Sequence, residues 1–262
     1  MHFYILSLEK DVQRREKISK NMNDFGISYE FFNATDAKKE KIIKNKNSKL
    51  TNSEAACAKG HLDIYRKFLE TENEYALIIE DDVSINSKSI DIFKLFLDDI
   101  EVEVPAIYIL GGIGEKNIFK YFVGIQQKKI KSLILKYCYK SEDKIYGTCC
   151  YLINRKASEN ILKTNYELIY LADDWNEYKK KSIVSKFFIF EPSIFIHPPQ
   201  ENQSHIEQER INKKQKTENK FKKVLKYFGI NHAKHLIIFL YRNFLKYFYL
   251  ISIKKISKQI SS

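Results

Sequence analysis

The sequence predicts an α/β protein in which a mostly parallel sheet is flanked by helices. Short, uninterrupted apolar runs of the kind that form buried strands recur at residues 2–8, 75–80 and 106–112. Between them lie longer segments whose apolar residues follow helical spacing, and this alternation of strand and helix is typical of parallel sheets. The chain has 262 residues, 44% of them hydrophobic, and can therefore bury a substantial core.

The first predicted elements are a strand, a helix and a second strand. HFYILSL (2–8) is dense in β-forming residues and bounded by charge. Apolar residues at helical spacing then predict a helix over 11–25, which Gly26 ends. ISYEFFNAT (27–35) predicts the second strand, and the lysine-rich stretch 38–49 predicts a solvated loop.

A capping signature opens the next helix. Thr51 or Ser53 is the candidate N-cap, and Glu54 stands three residues after Thr51. This helix should run to about residue 71, and the run YALIIE after it predicts a central strand covered on both faces. A helix over 87–99, the strand AIYILGG, the strand GTCCYLI and a helix over NRKASENILK are expected to follow in that order.

Three consecutive carboxylates, Glu80, Asp81 and Asp82, directly follow the central strand. In open α/β sheets ligands bind at the carboxyl ends of the strands, and hard oxygen ligands there suit Mg²⁺ or Mn²⁺ together with the phosphates of a nucleotide. Strand alternation would turn Glu80 and Asp82 to one side and Asp81 to the other. Two other interpretations stay open, in which these acids cap the following helix or pair with surface lysines.

Positive charge is concentrated at the end of the chain. The net charge is +12, of which residues 207–262 carry +11. Within this tail, residues 236–253 are apolar enough to suggest a membrane span, but Arg242 and Lys246 interrupt them at i,i+4 spacing. A narrow cationic stripe beside a wide apolar face is typical of interfacial helices. We therefore expect one domain over 1–206 and a basic amphipathic helical tail over 207–262. A helix docked on the domain, or a homodimer interface, is the alternative.

The cysteines predict free thiols, and the N-terminus indicates a cytoplasmic protein. The four cysteines form neither a C-x-x-C motif nor a disulfide framework, so we expect free thiols. The first residues, MHFYILSLEKDVQRR, begin with a strand-like run and lack the basic region and the cleavage site of a signal peptide.

Eight segments follow one another in an order and spacing typical of one enzyme family. They are YILSLEKDVQRRE, FFNATD, LTNSEAACAKGHLDIYRKFLE, YALIIEDDV, AIYILGG, GTCCYLINRKASENIL, LADDW and EPSIFIHPPQENQSHI. Together they resemble glycosyltransferase family 25, the bacterial lipopolysaccharide and lipooligosaccharide galactosyltransferase-like enzymes. The resemblance covers about residues 2–206, and the spaced set is more specific than any one of its parts.

The resemblance implies a GT-A-type Rossmann-like catalytic domain over 1–206 that inverts configuration at the transferred sugar. The sugar would be a hexose, most often galactose, passed from a UDP-sugar to a growing lipooligosaccharide, lipopolysaccharide or related surface glycan. Mn²⁺ or Mg²⁺ would bridge the donor diphosphate to Asp82 and Glu80. His197 is a candidate third ligand, or an ordinary loop histidine. Such an enzyme would be cytoplasmic and peripheral on the inner membrane, with its tail on the anionic lipid surface.

The family segments also supply a base and a donor site. Asp173 or Asp174 would take the proton of the acceptor hydroxyl, unless they cap a helix, and Trp175 would stack on a sugar or lie in the core. The residues that would contact the donor are Ser7, Leu8, Arg14, Arg15, Asp36, Glu54, His61, Glu80 and Asp81.

The residue types of this donor set suggest separate roles. Arg14 and Arg15 would pair with phosphate through their planar guanidinium groups, or lie on the surface of an amphipathic helix. Asp36 suits hydrogen bonds to ribose or uracil. Glu54 and His61 share one helix face. His61 follows Gly60, where the family usually has serine, and the alternative for His61 is a structural role.

Three other function classes compete with glycosyl transfer. A basic, tyrosine-rich tail is also found in nucleic-acid-binding proteins, and the body could be a nucleotidyltransferase or a glycan-binding protein without catalysis. The tail contains no ordered motif for recognising nucleic-acid bases, and its apolar face is too broad for a basic arm that is surrounded by solvent. We therefore expect no nucleic-acid partner.

Overall fold

The computed structural model describes residues 1–98, 100, 103–112, 121–196 and 230–260, with side chains of the last helix over 234–253. Within them eight strands form one sheet. The strands are β1 (His2–Ser7), β2 (Glu30–Asn33), β3 (Tyr75–Glu80), β4 (Ala106–Gly111), β5 (Gly124–Ile130), β6 (Leu133–Cys138), β7 (Cys150–Asn154) and β8 (Lys186–Glu191). The helices are α1 (Val12–Asp24), α2 (Asn52–Leu69), α3 (Ser87–Leu97), α4 (Arg155–Asn165), α5 (Trp175–Lys180) and α6 (Ile230–Ile260).

The sheet is mixed, and six of its eight strands point the same way. Its order is β2-β1-β3-β7-β4-β8-β6-β5. β1 pairs in parallel with β2 and β3, and β4 pairs in parallel with β8. β7 runs antiparallel between β3 and β4, and β6 runs antiparallel between β8 and β5. The predicted α/β fold with a mostly parallel sheet is confirmed, as are the predicted elements from β1 to β4.

Helices cover both faces of the sheet and create two cores. Ala76 and Ile78 of β3 pack in the core that contains α2, α4 and α5. Leu77 and Ile79, which alternate with them, pack in the core that contains α1 and α3. The continuous apolar run of β3 therefore reflects a strand buried on both faces, as predicted.

The helix caps show which acids take part in capping. Thr51 Oγ1 accepts a hydrogen bond from the Glu54 backbone N–H at 3.2 Å, and a Glu54 carboxylate oxygen accepts from the Thr51 N–H at 2.9 Å, which confirms the predicted capping box. Helix α3 begins instead at Asn86, which forms its own capping box with Ser89. The acids that follow β3 therefore do not cap α3.

All four cysteines are free thiols, as predicted. Cys138, Cys149 and Cys150 are buried, and burial raises the pKa of each of these thiols well above the ordinary value. A thiol that stays protonated is a poor nucleophile, so these three cysteines act as packing residues.

Asn154 joins β7, β4 and α4. It is buried, and its Oδ1 accepts hydrogen bonds from the backbone N–H groups of Ala106 and Ala157, both at 3.0 Å. Its Nδ2 donates to the Val104 carbonyl at 2.7 Å. One side chain therefore caps α4 and also satisfies backbone groups at the start of the neighbouring strand.

We expect Asn154→Ala to lower the free energy of unfolding by roughly 2–3 kcal/mol, because it leaves several buried backbone groups without partners. Urea unfolding followed by circular dichroism measures this change. Asn47→Ala is the matched control, because Asn47 is exposed, and it should change stability by less than about 0.5 kcal/mol. An equal, small effect of both substitutions would contradict this structural role of Asn154.

Candidate functional site

A cleft of about 530 Å³ opens at the carboxyl ends of β1 and β3. This is the edge of the sheet at which α/β proteins bind ligands, and the predicted carboxylates lie there. The cleft is lined by Leu6, Ser7, Leu8, Asp11, Arg14, residues 34–38, Ser53, Glu54, Ala56, Cys57, residues 80–82, Gly112, residues 147–149 and residues 171–173.

Asp81 is held by the protein itself. Its side chain is 8% exposed, Ser7 Oγ donates to its Oδ2 at 2.6 Å, and Arg14 Nη1 donates to its Oδ1 at 3.2 Å. Burial raises the pKa of Asp81, and the hydrogen bonds from Ser7 and Arg14 oppose that rise. This carboxylate therefore ties the end of β1 and helix α1 to the end of β3.

Glu80 and Asp82 flank Asp81 and both line the cleft. Strand β3 ends at Glu80, and the Val83 N–H donates to the Glu80 carbonyl at 3.3 Å, so Asp81 and Asp82 lie in a turn. The alternation expected along a strand therefore stops at Glu80. A Glu80 carboxylate oxygen accepts from Thr148 Oγ1 at 2.6 Å.

The two adjacent arginines have different environments. Arg14 lines the cleft with a half-exposed side chain, 3.6 Å from Asp82 as well as bonded to Asp81. Arg15 Nη2 donates to the Ser7 carbonyl at 2.9 Å and to Asn33 Oδ1 at 2.6 Å, and Arg15 is not among the residues that line the cleft. The structure therefore brings Arg14 to the cleft and makes Arg15 a support for Ser7.

His61 lies beneath the cleft. It is 1% exposed, its Nδ1 is 2.8 Å from the Tyr151 hydroxyl, and that hydroxyl is 2.7 Å from the Tyr65 hydroxyl. Burial lowers the pKa of His61 to about 3, so the ring is neutral. Its Nε2 is 3.8 Å from Glu80, too far for a hydrogen bond, and the contact is not an ion pair while the ring is neutral. The geometry favours the structural interpretation of this histidine.

Asp36, Glu54 and Leu8 all line the cleft, but the two acids already have partners. Lys10 Nζ donates to Asp36 Oδ2 at 2.6 Å and the Lys38 N–H donates to Oδ1 at 3.1 Å, and these hydrogen bonds lower the pKa of Asp36. Glu54 belongs to the capping box of α2. The Asp36 loop therefore presents an ionised, anchored carboxylate at one wall.

The structure distinguishes the two candidate bases. Asp173 lines the cleft, and its Oδ2 accepts from the Gly147 N–H at 2.8 Å, in a loop where Gly147 has a φ of 89°. Asp174 is not among the lining residues. It occupies the N-cap position of α5 without a side-chain capping bond, and burial raises its pKa. Trp175 is fully buried and packs in the core, not on the cleft.

The described residues of the cleft fit a metal ion whose remaining ligands come from the substrate and from water. Within this part of the chain, no three His, Cys, Asp or Glu side chains are grouped to hold a metal by themselves. His197, the expected third ligand, lies outside the described residues. Glu80 and Asp82 offer carboxylate oxygens to the same cleft, and Mg²⁺ commonly takes one or two such ligands plus phosphate oxygens and water.

Several cleft residues were not predicted. Thr148, Gly147 and Lys38 all line the cleft, and the first two contact Glu80 and Asp173 respectively. Thr148 precedes β7, which is antiparallel, so the beginning of β7 lies beside the end of β3. Only the direction of β7 could have revealed this neighbour, and an apolar run carries no information on strand direction.

We expect Ser7→Ala to destabilise the protein more at neutral than at acidic pH. The Ser7 hydroxyl stabilises the ionised form of Asp81, so its loss raises the folded-state pKa of Asp81 further above the unfolded value. The loss of unfolding free energy should be about 1–3 kcal/mol near pH 7 and should shrink as the pH falls through the folded-state pKa. Urea unfolding at several pH values tests this, and an equal loss at every pH would contradict it.

Comparison with known proteins identifies the family of this chain. Residues 1–176 match the model of glycosyltransferase family 25 (LPS biosynthesis protein). Lipooligosaccharide biosynthesis protein lic2B of Haemophilus influenzae is 30% identical over 169 residues, which are 62% of each chain. A glycosyltransferase 25 family member of Aedes aegypti is 27% identical over 97 residues, 31% of this chain and 16% of that protein. The chain thus spans less than two thirds of the length of these relatives.

A solved structure shows a more distant likeness. It is a glycosyltransferase involved in the glycosylation of the major capsid of PBCV-1, which covers 80% of this chain and 98% of its own, at 11% identity and a TM-score of 0.43. The family match covers more than half of the chain, including every acid at the cleft that we describe. The protein therefore belongs to glycosyltransferase family 25.

Proposed function

We propose that this protein is an inverting glycosyltransferase that moves a hexose, most often galactose in its family, from a UDP-sugar to a lipooligosaccharide, lipopolysaccharide or related surface glycan. Residues 1–206 form the catalytic part in this proposal. The family and the lipooligosaccharide biosynthesis relative support the reaction class. The sugar and the acceptor follow from the resemblance and are the parts that need direct measurement.

The observation that carries the proposal is the grouping of charge in one cleft. Glu80 and Asp82 lie there with Asp173, and the cations Arg14 and Lys38 line the same space. Acids that hold a metal or take a proton, next to cations that offset diphosphate charge, are what transfer from a nucleotide sugar requires. Asp81 is occupied by Ser7 and Arg14, so we assign it to holding the site together.

Asp173 is the proposed base. An acid at this position would accept the proton of the acceptor hydroxyl while the acceptor oxygen bonds to the anomeric carbon and the bond from that carbon to UDP breaks. The Gly147 N–H fixes one oxygen of Asp173, which keeps the carboxylate aimed at the cleft. Asp174 is half-buried and away from the cleft lining, so we assign it to the start of α5.

A divalent ion fits the remaining acids. When bound, Mn²⁺ or Mg²⁺ would act as a Lewis acid that stabilises the charge of the departing diphosphate. Asp82 and Glu80 would hold it, and His197 remains the proposed additional ligand from outside the described residues. Thr148 orients Glu80 through the 2.6 Å hydrogen bond to its carboxylate.

We place the enzyme in the cytoplasm, peripheral on the inner membrane, where lipid-linked saccharide acceptors are assembled. The alternative of nucleic-acid binding is disfavoured by the described part of α6. Arg242 and Lys246 both contact the body of the protein there, so they do not form a free basic stripe for a phosphate backbone. A nucleotidyltransferase would release pyrophosphate, and an inactive glycan-binding protein would release no UDP.

We expect UDP release from a single donor in a panel of UDP-sugars, in the presence of Mn²⁺ and a truncated lipooligosaccharide acceptor. EDTA should abolish turnover, and Asp82→Asn should lower kcat by about 100-fold, because metal and charge stabilisation act on the departing diphosphate. A coupled assay for UDP measures both.

Asp91→Asn is the matched control, since Asp91 is exposed on α3, away from the cleft. It should leave kcat unchanged. Turnover that survives EDTA and Asp82→Asn would refute the metal assignment, and pyrophosphate in place of UDP would refute glycosyl transfer.

We expect Asp173→Asn to lower kcat by about 100-fold or more with little change in KM for the donor, because it removes the general base. Asp174→Asn removes the neighbouring carboxylate and should retain most of kcat. If Asp174→Asn instead lowers kcat by about 100-fold while Asp173→Asn retains it, the base is Asp174 and the assignment reverses.

A further inference from the structure

Helix α6 is held on the body of the protein by the two cations that interrupt its apolar sequence. Arg242 Nη1 lies 2.8 Å from Asp143 Oδ1, and Lys246 Nζ donates to the Gly124 carbonyl at 2.8 Å. Asp143 belongs to the short helical turn Glu142–Lys144, and Gly124 begins β5. Both cations therefore face the protein, although a cationic stripe on an interfacial helix would ordinarily face lipid headgroups.

Apolar contacts continue this docked side along the helix. Phe239 packs edge-on against Tyr121 with ring centroids 6.1 Å apart, and Tyr249 lies 5.2 Å from Tyr139 by the same measure. Leu245 and Leu250 of α6, with Phe239, also pack on the small apolar cluster of Val123, Ile125 and Tyr139. The contacts run over several turns, so a helix docked in this way lies along the protein and does not cross a bilayer, although its length and composition would suffice.

The opposite side of α6 is apolar, aromatic and exposed. We call it the aromatic face, and Tyr247, the most exposed of its aromatic residues, is 63% exposed. Apart from Arg242 and Lys246, residues 235–253 contain no lysine, arginine, aspartate or glutamate. The aromatic face is formed by Leu236, Ile237, Leu240, Tyr241, Phe244, Tyr247 and Phe248.

The positive charge on both sides of the apolar segment of α6 indicates which partner covers the aromatic face. Residues 207–262 carry +11, with lysines both before the helix and directly after Ile253. Clusters of this kind are attracted to anionic lipid, and tyrosine and other aromatic rings are favoured at the lipid–water boundary. A second copy of the chain would bring the same positive flanks together, which opposes a dimer through this face.

We propose that the aromatic face of α6 inserts into an anionic membrane surface while Arg242 and Lys246 fasten the helix to the catalytic body. This proposal rests on the proposed function, because an enzyme with a lipid-linked acceptor has to work at a membrane surface. The docking also orients the cleft relative to the membrane surface. Asp143, which contacts Arg242 of α6, lies shortly before Gly147, whose N–H donates to Asp173. One segment therefore connects helix α6 to the proposed base.

The test is flotation of the full-length protein with vesicles of phosphatidylglycerol and phosphatidylethanolamine, against vesicles of phosphatidylcholine alone. The wild type should float with the anionic vesicles. Phe244→Ser combined with Phe248→Ser, whose rings contact each other, should lower the partition coefficient about tenfold, because two exposed rings no longer enter the bilayer. Ile237→Asn combined with Tyr241→Asn is an independent variant of the same face with the same expectation.

Tyr166→Ser is the matched control, since Tyr166 is 63% exposed on the catalytic body, and it should float as the wild type does. UDP release with a short soluble acceptor, together with the thermal melt, shows whether each variant is folded and reports on the proposed function separately. Equal flotation of the wild type and both double variants would overturn the proposal. So would a dimer, seen by light scattering, that dissociates in the variants while the wild type ignores vesicles.

Discussion

The site depends on the compensation of one buried carboxylate. Asp81 lies where β1 and β3 end side by side, and a charge so far from water is stable only with close partners. Ser7 from β1 and Arg14 from α1 supply them, so three elements are fixed by one side chain. Glu80, the last residue of β3, and Asp82, in the turn that follows, then line the cleft on either side of Asp81. The three adjacent acids thus differ in environment, because Asp81 is buried against Ser7 and Arg14 while Glu80 accepts a hydrogen bond from Thr148.

The antiparallel strand β7 supplies the second constraint. Because β7 lies between β3 and β4 and runs against both, the loop before it reaches the edge of the sheet where parallel strands end. That loop contributes Thr148 to Glu80 and Gly147 to Asp173. A purely parallel sheet would put the beginning of this strand at the far edge. The mixed sheet therefore brings the proposed base and the proposed metal ligands into a single cleft.

Much of the fold could be predicted from local patterns, and the partners within the site could not. The capping box at Thr51 and the continuous apolar run of β3 have local physical causes, so the sequence predicted both elements. Local patterns could not distinguish the roles of Arg14 and Arg15, because the two are adjacent and identical in sequence. Their roles separate only because α1 turns one guanidinium toward Asp81 and the other toward Asn33. Such differences arise from tertiary packing.

Tertiary packing also explains why the sequence predicts the helix of the tail but not the partners of its two cations. Arg242 and Lys246 at i,i+4 spacing predicted a cationic stripe on one side of a helix. The pattern did not reveal that this stripe meets Asp143 and the Gly124 carbonyl. Once the cations are used inside the protein, the exposed side of the helix is left almost without charge. In the membrane contact proposed above, attraction to an anionic surface would come from the lysines around the helix, and its depth in that surface would come from the rings. The two properties could therefore be changed by separate substitutions.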